Sequence, residues 1–441
     1  MKPTPSLYNR VRERQVLLKA WRVIRQNARR SGNRRSQLDA ERFEENLLGN
    51  IQNIQRRLQR SNYTFAPAIG VAAPKGKGKV GKRAIVIAPI GDRIVQRAIL
   101  DILYEYCPSD DLRLVLRTPT SVGGVPGRGV GHALAQIAKA EDNGAIYGIR
   151  SDIRNFFPSF PRKDVLSYLE REIDDTLFLD LFERAVAVEL ENREALGCDA
   201  DLFPLGEDGV AQGSPLSVLA GNIVLRQFDA ELNSRGVTCV RYIDDFLILA
   251  NSKNAASKAL KAGLTLLSAL KLKAYAPEDG SGKAEEGLLT NGFEFLGYSL
   301  VRGLNPPSPN SRAKFLSKVE AEIAEGKKWI ARALRSDMPQ TKRVQCYAQT
   351  LNAIDNMLRG WAGAFQHTSS AHVLEALDIK IDIQLAAFER WFGAAIRESS
   401  AQHQRRALGI RLLGDSETVP LPSLDAEEMP RCLPRSGAHA S

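Results

Sequence analysis

The sequence predicts an α+β protein in which a region with an antiparallel sheet lies between two helical regions. Three observations predict this class. Apolar residues recur at three- and four-residue spacing up to about Arg60, as in amphipathic helices. Short apolar runs at 144–153 and on both sides of Tyr242 have the residue types of buried strands. Beyond a Pro-rich linker at 305–309, the pattern is helical again to about Ala407.

The composition is that of a folded globular protein. Of 441 residues, 44% are hydrophobic and 25% are charged, which excludes a disordered chain and a disulfide-rich miniprotein. No apolar run reaches the roughly 18 residues of a membrane helix. The first residues lack an apolar signal region, and the five cysteines form no CxxC pair. We therefore expect a cytoplasmic protein with free thiols and no membrane contact.

The positive charge is concentrated in the first fifth of the chain. The net charge is +10. Residues 1–83 contain about 20 Lys and Arg against about 5 Asp and Glu, so the remainder carries about −5. This density of arginine favours nucleic-acid contact, and a solvated helix face is the alternative. The arginines predicted to bind RNA are Arg22, Arg25, Arg29, Arg30, Arg34 and Arg35.

The middle of the chain alternates between strand and helix signals. The stretch 76–83 is similar to a P-loop, but Arg83 stands where the hydroxyl residue is needed and a strand follows, so we reject that reading. The further elements predicted in order are a strand at 84–88, helices near 94–103 and 132–140, an amphipathic stretch at 162–194, helices at 213–232 and 255–270, and a strand pair at 293–301.

Two adjacent aspartates, Asp244 and Asp245, lie between apolar β-runs. Carboxylates in such surroundings are costly unless a cation neutralises them, and hard divalent cations take oxygen ligands. Two solvated aspartates at a turn tip are the alternative. Asp152 ends another predicted strand. If that strand pairs beside the Asp244 hairpin, three carboxylates meet at one edge, which suits a two-metal site for phosphoryl displacement.

Four short motifs occur in an order that resembles the palm motifs of reverse transcriptases. They are DIRNFF at 152–157, QGSPLS at 212–217, YIDD at 242–245 and FLGY at 295–298. Two further stretches are similar to the fingers and thumb of the bacterial group II intron lineage. These are Lys82-Arg83 followed by the strand and DRIVQ at 92–96, and LRGW at 358–361.

The resemblance spans roughly residues 75–385 and implies a right-hand polymerase. It implies fingers and a palm with an antiparallel palm sheet, a helical thumb and an N-terminal basic helical extension. The predicted domains are the N-terminal basic helical extension (1–74), the reverse transcriptase fingers and palm (75–304), the helical thumb-like domain (305–407) and an irregular C-terminal tail (408–441).

The resemblance also implies an RNA-directed DNA polymerase acting on an RNA template and dNTPs to make DNA, with two Mg²⁺ ions, or Mn²⁺ instead. Asp152 and Asp244 would hold both metals, and Asp245 would support them. Phe157 matches a steric gate that blocks the sugar 2′-OH, and a core phenylalanine is the alternative. The remaining implied roles are nucleotide binding by Lys82, Arg83, Gln212 and Gly213, primer grip by Phe295, Leu296, Gly297 and Tyr298, and protonation of pyrophosphate by Lys283.

Several residues depart from the intron pattern. Ala211 precedes Gln212 where intron enzymes usually have Pro, and Ile243 replaces the commoner Ala. These departures favour stand-alone bacterial relatives, including phage-defence and abortive-infection reverse transcriptases. We therefore expect cDNA synthesis on a dedicated non-coding RNA in antiviral defence. The alternatives are a maturase-type protein that binds intron RNA, and a template-independent or protein-primed DNA polymerase.

Overall fold

A computed structural model describes residues 6–75, 81–234, 236–280, 282–335 and 346–415. The chain divides into two compact units, of which the first is Met1–Ser308 with His367–Ser370 and the second is Pro309–Gln366 with Ala371–Ser441. The four-domain division expected from the sequence stays a prediction. Residues 416–441 of the expected tail lie outside the described residues.

Helices and strands alternate along the first unit. In chain order they are α1 (Leu7–Val11), α2 (Arg14–Arg30), α3 (Arg34–Glu45), α4 (Leu47–Gln59), β1 (Ile69–Pro74), β2 (Lys82–Ile87), α5 (Ile90–Glu105), α6 (Asp110–Leu116), α7 (Val130–Asp142), β3 (Tyr147–Asp152), α8 (Phe156–Ser159), α9 (Arg162–Glu172), α10 (Thr176–Val186), α11 (Arg193–Leu196), α12 (Ser217–Val224), α13 (Arg226–Ser234), β4 (Thr238–Tyr242), β5 (Asp245–Ala250), α14 (Lys253–Ala269), β6 (Glu285–Leu288), β7 (Phe293–Phe295) and β8 (Tyr298–Leu300).

The N-terminal helices α1 to α4 confirm the helical pattern read up to Arg60. Their apolar stripes face inward, and Leu17, Trp21 and Ile24 of α2 are buried at helical spacing. These side chains belong to the same hydrophobic core as the residues beneath the central sheet. The basic segment is therefore packed into the first unit, with its arginines on the outer faces.

The central sheet has four antiparallel strands in the order β4-β5-β3-β6. Its inner strands β3 and β5 are mostly buried, and β5 is apolar from Phe246 to Ala250. Helices α13 and α14 pack beside it, and Phe228 of α13 meets Phe246 of β5 edge to face. This sheet fixes the positions of the acidic residues described below.

Two smaller hairpins belong to the same unit. Strands β1 and β2 pair antiparallel from Ile69 opposite Ile87 to Pro74 opposite Lys82. Strands β7 and β8 form the second hairpin, which contacts β3. Pro89 caps α5, where its fixed backbone angle suits the start of a helix.

The second unit is helical in the described residues, as expected. Its helices are α15 (Pro309–Ala333), α16 (Tyr347–Ala364), α17 (Ala371–Ile396) and α18 (Ala401–Leu408). Aromatic rings fill its core: Phe315 stacks on Trp361 at 4.9 Å between ring centroids, and Tyr347 stacks on Phe392 at 4.1 Å. None of the described helices in either unit combines the length and apolarity needed to cross a bilayer. The four described cysteines are free thiols.

Candidate active site

Three carboxylates meet at one end of the central sheet, as the sequence predicted. Asp152 ends β3 and lies opposite Asp245, the first residue of β5. Asp244 precedes it in the two-residue turn between β4 and β5, where Tyr242 pairs with Asp245. The backbone N–H of Ile153 donates to the carbonyl of Asp244 at 3.0 Å, so the turn is tied to the end of β3.

Burial and mutual repulsion raise the pKa values of Asp244 and Asp245. The pKa of Asp244 is raised to about 6, mainly by desolvation and then by the charge of Asp152. The pKa of Asp245 is also raised to about 6 by desolvation, by Asp152 and by Asp244. A positive partner at this edge would therefore stabilise the ionised forms of Asp244 and Asp245.

One such partner is Lys283, whose Nζ lies 2.9 Å from Oδ2 of Asp152. In the described part of the chain, no group of three or more His, Cys, Asp or Glu side chains already has the arrangement of a metal-binding site. The donor chemistry nevertheless fits a hard divalent cation, because three oxygen ligands that repel one another share one edge. Asp152, Asp244 and Asp245 are the residues that would hold it.

The ring predicted as a steric gate, Phe157, is partly buried in the single-turn helix α8 just after Asp152. Its backbone carbonyl accepts a hydrogen bond from Val210 N–H at 2.8 Å, and its ring lies 5.5 Å from that of Phe156. The gate and the core interpretations both stay open. Helix α8 places the ring five residues after Asp152 in the chain.

Gln212 and Gly213 lie against strand β2. The N–H of Val86 donates to the carbonyl of Gln212 at 3.0 Å. Gly213 has φ +117°, and a Cβ there would come within 3.1 Å of the Val86 carbonyl oxygen, so a larger residue would be strained. The structure thus joins the QGSPLS motif to the β1–β2 hairpin.

The two basic residues predicted to bind the nucleotide, Lys82 and Arg83, begin strand β2. Because successive residues of a strand face opposite sides, their side chains leave the backbone on opposite faces. Nζ of Lys82 lies 2.6 Å from Oδ2 of Asp199, while Arg83 is exposed. The roles of both stay predictions. Lys79, which lies in the same basic stretch, is outside the described residues.

The predicted primer grip is the β7–β8 hairpin. Phe295 pairs with Tyr298, and the turn between them has left-handed backbone at Leu296 (φ 52°) and Gly297 (φ 83°). Both aromatic rings are buried, so they hold the hairpin together. Leu296 and Gly297 at the tip are partly exposed, and they are the part that can contact a ligand.

The six arginines predicted to bind RNA lie on α2 and α3 or next to them, and four of them form ion pairs. Arg25 Nε lies 2.9 Å from Glu44, which Arg29 also approaches, so these pairs link α2 to α3. Arg34 approaches Glu41, and Arg35 approaches Asp39. Arg22 and Arg30 are exposed, and among the described residues no acidic side chain pairs with them. The RNA-binding role stays a prediction.

Sequence reasoning missed a buried arginine beside the acidic turn. Arg241 ends the apolar run of β4 and is fully buried against Asp229 of α13. A charged residue inside an otherwise apolar strand was the available signal, because such a residue must find a partner of opposite charge.

Residues 73–300 match the family model of the reverse transcriptase (RNA-dependent DNA polymerase). The chain belongs to the reverse transcriptase family. The predicted enzyme class, RNA-directed DNA polymerase, is thereby confirmed. The family works on a nucleic-acid template with dNTP substrates and generally uses divalent metal ions. The match covers the acidic edge, strand β2 and the β7–β8 hairpin but ends before the second unit, part of which the sequence resemblance also included.

Curated relatives of this reverse transcriptase span different shares of its length. Protein YkfC of Escherichia coli (strain K12) is 27% identical over 295 residues, covering 58% of this chain and 72% of that protein. The uncharacterized 91 kDa protein in cob intron of Schizosaccharomyces pombe is 27% identical over 229 residues, or 48% of this chain. The match spans only 26% of the length of that second relative.

A solved structure is also similar in part. A chain of the partial Cas6-RT-Cas1--Cas2 complex matches with 20% identity and a TM-score of 0.34. The match covers 61% of the reverse transcriptase described here and 43% of the solved chain.

Proposed function

We propose that this reverse transcriptase joins dNTPs to a primer at the acidic edge formed by Asp152, Asp244 and Asp245. The observation that carries this proposal is the register of the sheet, in which Asp152 stands opposite Asp245 with Asp244 in the adjoining turn. Because the strands on which these acids lie are buried, the carboxylates have fixed backbones. A fixed set of carboxylate oxygens could hold the divalent cations that stabilise negative charge building up on phosphate oxygens.

Each acid has a role in this mechanism. When bound, two divalent cations would activate the attacking 3′-hydroxyl and stabilise the leaving pyrophosphate. Asp152 and Asp244 would hold both cations, and Asp245 would support them with a smaller direct role. Lys283, whose ammonium contacts Asp152, would donate a proton to the pyrophosphate once that contact is broken.

Other residues orient the substrates. Phe157 excludes the 2′-hydroxyl of a ribonucleotide, and Gln212 with Gly213 lines the space for the incoming base. Arg83 holds the triphosphate, and Lys82 joins it by exchanging its exposed ion pair with Asp199 for phosphate. Leu296 and Gly297, at the tip of the β7–β8 hairpin, contact the primer end. These roles rest on the contact of β7 with β3 and on the hydrogen bond from Val86 to Gln212, all within one compact unit.

The test is primer extension by the purified full chain on an RNA template with a DNA primer, dNTPs and Mg²⁺. Asp152→Asn and Asp244→Asn should each lower the incorporation rate at least about 10³-fold, because each removes a charged ligand. Binding of the template–primer should stay near that of the wild type. Asp180→Asn, which removes an exposed acid paired with Arg184, is the matched control and should keep full activity. Substantial synthesis by either active-site variant would refute the assignment.

The template proposed here is a dedicated non-coding RNA, and the setting is antiviral defence. Ala211 and Ile243, which depart from the intron pattern, support this setting. The arginine-rich helix α2, together with the two arginines that begin α3, supports the binding of a structured RNA. Sequencing of nucleic acid that copurifies with the protein from cells tests the idea: one discrete RNA with complementary DNA is expected.

A maturase-type role is the second candidate. It is favoured by one relative, the fission yeast protein whose name places it in the cob intron. The same sequencing experiment separates the two. Intron RNA without DNA would support the maturase. Homopolymer DNA, or DNA attached covalently to the protein, would instead indicate template-independent or protein-primed synthesis.

A further inference from the structure

The guanidinium of Arg241 is fully buried directly behind the acidic turn. Its Nε lies 2.7 Å from Oδ1 of Asp229, and its Nη2 donates to the other oxygen of the same carboxylate. A two-point contact of this kind fixes the orientation of the guanidinium plane. The charge of the arginine is thereby compensated, and its remaining N–H groups are free to bind other parts of the core.

Those remaining N–H groups connect separate segments of the unit. The second N–H of Nη2 is shared between Oγ of Ser121 and Oδ1 of Asn222 in α12, which lie 2.8 Å and 3.1 Å from Nη2. Nη1 donates to the backbone carbonyl of Ile243 at 2.8 Å. Arg241 thus ties α12, α13 and the loop at Ser121 to the turn that carries Asp244.

The turn needs such a tie because Ile243 has a left-handed backbone, with φ +65°. A β-branched residue rarely adopts this conformation, and holding it costs about 1–3 kcal/mol unless the surroundings impose it. The other face of the turn is closed by Gly123: a Cβ there would lie 2.6 Å from the Ile243 nitrogen. The backbone of Val122 also donates to the carbonyl of Arg241 at 2.9 Å.

We propose that Arg241 is a positioning residue for catalysis, which holds Ile243 in its left-handed conformation and so aims Asp244 at the acidic edge. The proposal rests on the proposed function, because it assumes that Asp244 takes part in bond formation. Arg241 itself is shielded from the substrate by its burial. Its effect therefore passes through the carbonyl of Ile243.

The experiment measures single-turnover dNTP incorporation on an RNA template–DNA primer, together with the Kd values of template–primer and dNTP. Arg241→Lys keeps the positive charge but cannot contact Asp229, Ser121 and the Ile243 carbonyl together. We expect the incorporation rate to fall about 100-fold, as for a displacement of about 1 Å at a catalytic group, with both Kd values nearly unchanged. Leu232→Ala, a buried change on α13 away from the turn, controls for loss of stability alone.

A double-mutant cycle separates positioning from general stabilisation. Glycine adopts the left-handed conformation freely, so Ile243→Gly removes the strain that Arg241 has to oppose. In that background, Arg241→Lys should lower the rate several-fold less than it does beside Ile243. An equal loss in both backgrounds, or a loss no greater than that of Leu232→Ala, would overturn the proposal.

Ser121→Ala keeps the proposal testable if Arg241→Lys gives no folded protein. It removes one hydrogen bond of the guanidinium, and a rate loss of about 3–10-fold is expected. An unchanged rate would overturn the proposal. If the wild-type chain extends no primer at all, the proposed function fails first. If the wild-type chain extends primers and Asp244→Asn abolishes extension, the proposed function holds. The Arg241 variants then test only the positioning role of Arg241.

Discussion

At the scale of single residues, Asp244 and Asp245 hold protons more tightly than ordinary aspartates. Both pKa values are raised from the ordinary 3.8 to about 6, by desolvation first and by neighbouring carboxylates second. Between about pH 4 and pH 6, the folded chain therefore binds more protons at these sites than the unfolded chain does. The two residues therefore lower the free energy of unfolding as the pH rises through that window. Their stabilising contribution is fully lost above about pH 6.

This leads to a prediction about the metal-free protein. Replacing both acids, Asp244→Asn with Asp245→Asn, should raise the free energy of unfolding at pH 7.5 by about 1–2 kcal/mol, after solvent screening is allowed for. The variant should also lose most of the difference in stability between pH 4.5 and pH 7.5. Urea unfolding at several pH values measures both effects.

Divalent cations provide the complementary measurement. Mg²⁺ that binds the folded wild type should raise its unfolding midpoint, because binding to the folded state alone stabilises it. The double variant should show little response to Mg²⁺, and Asp180→Asn should respond like the wild type. Equal stabilities of wild type and variant at pH 7.5, with equal responses to Mg²⁺, would contradict the picture of a strained acidic edge.

Phe157 gives a second prediction at the residue scale. Phe157→Ala should increase incorporation of ribonucleotides relative to deoxyribonucleotides by about 10-fold or more, because removing the ring opens space beside the sugar. The ratio of kcat/KM values for a ribonucleotide and its deoxy counterpart measures the effect. Phe160→Leu, which changes a buried ring at the end of the same turn, should leave that ratio unchanged. An unchanged ratio in Phe157→Ala would assign the ring to core packing.

At the scale of elements, the sequence predicted the strands and helices whose hydrophobic pattern is strong. Strands β3, β4 and β5 were predicted because their apolar runs are long and rich in β-formers, and α14 because of its helical period. The sequence also suggested that the strand of Asp152 pairs beside the Asp244 hairpin, because an isolated buried carboxylate is costly without a partner. The elements that carry the acids were therefore predictable.

Weakly patterned elements could not be predicted. Strand β1 contains Gly and Ala and ends in Pro, and β6 has two Glu and one Gly in four residues. Both strands form because a neighbouring strand supplies backbone hydrogen-bond partners. That neighbour is known only from the tertiary structure. The helix expected at 213–232 is broken at Leu225 into α12 and α13, and no Gly or Pro marks that break.

The candidate site likewise has residues that the sequence indicates and contacts that it does not indicate. Asp152, Asp244 and Asp245 could be read from the sequence because their neighbours are apolar. The ion pair of Lys82 with Asp199 and that of Lys283 with Asp152 join residues more than 100 positions apart, so no local pattern indicates them. The contact of Arg241 with Ser121, which is 120 positions away, is hidden for the same reason.

At the scale of the whole molecule, the charge is divided along the chain. The first 83 residues carry about +15 and the rest about −5, so the basic excess lies outside the part that carries the acidic edge. Four of the six predicted RNA-binding arginines already have acidic partners on α3, and exposed pairs of this kind add little stability. They can exchange those partners for phosphates at small cost. Arg22 and Arg30 are the two that can bind phosphate without such an exchange.

This distribution predicts how RNA binding responds to salt. Arg22→Gln with Arg30→Gln should weaken the binding of a structured RNA and reduce the slope of log K against log salt concentration by about 1 to 2, since two phosphate contacts are lost. Arg56→Gln with Arg60→Gln removes the same charge from the neighbouring helix α4 and its end, and so tests for long-range attraction alone. That control should shift affinity slightly and leave the slope near that of the wild type. Equal effects of the two pairs would mean that the chain attracts RNA through its net charge and that α2 holds no local site.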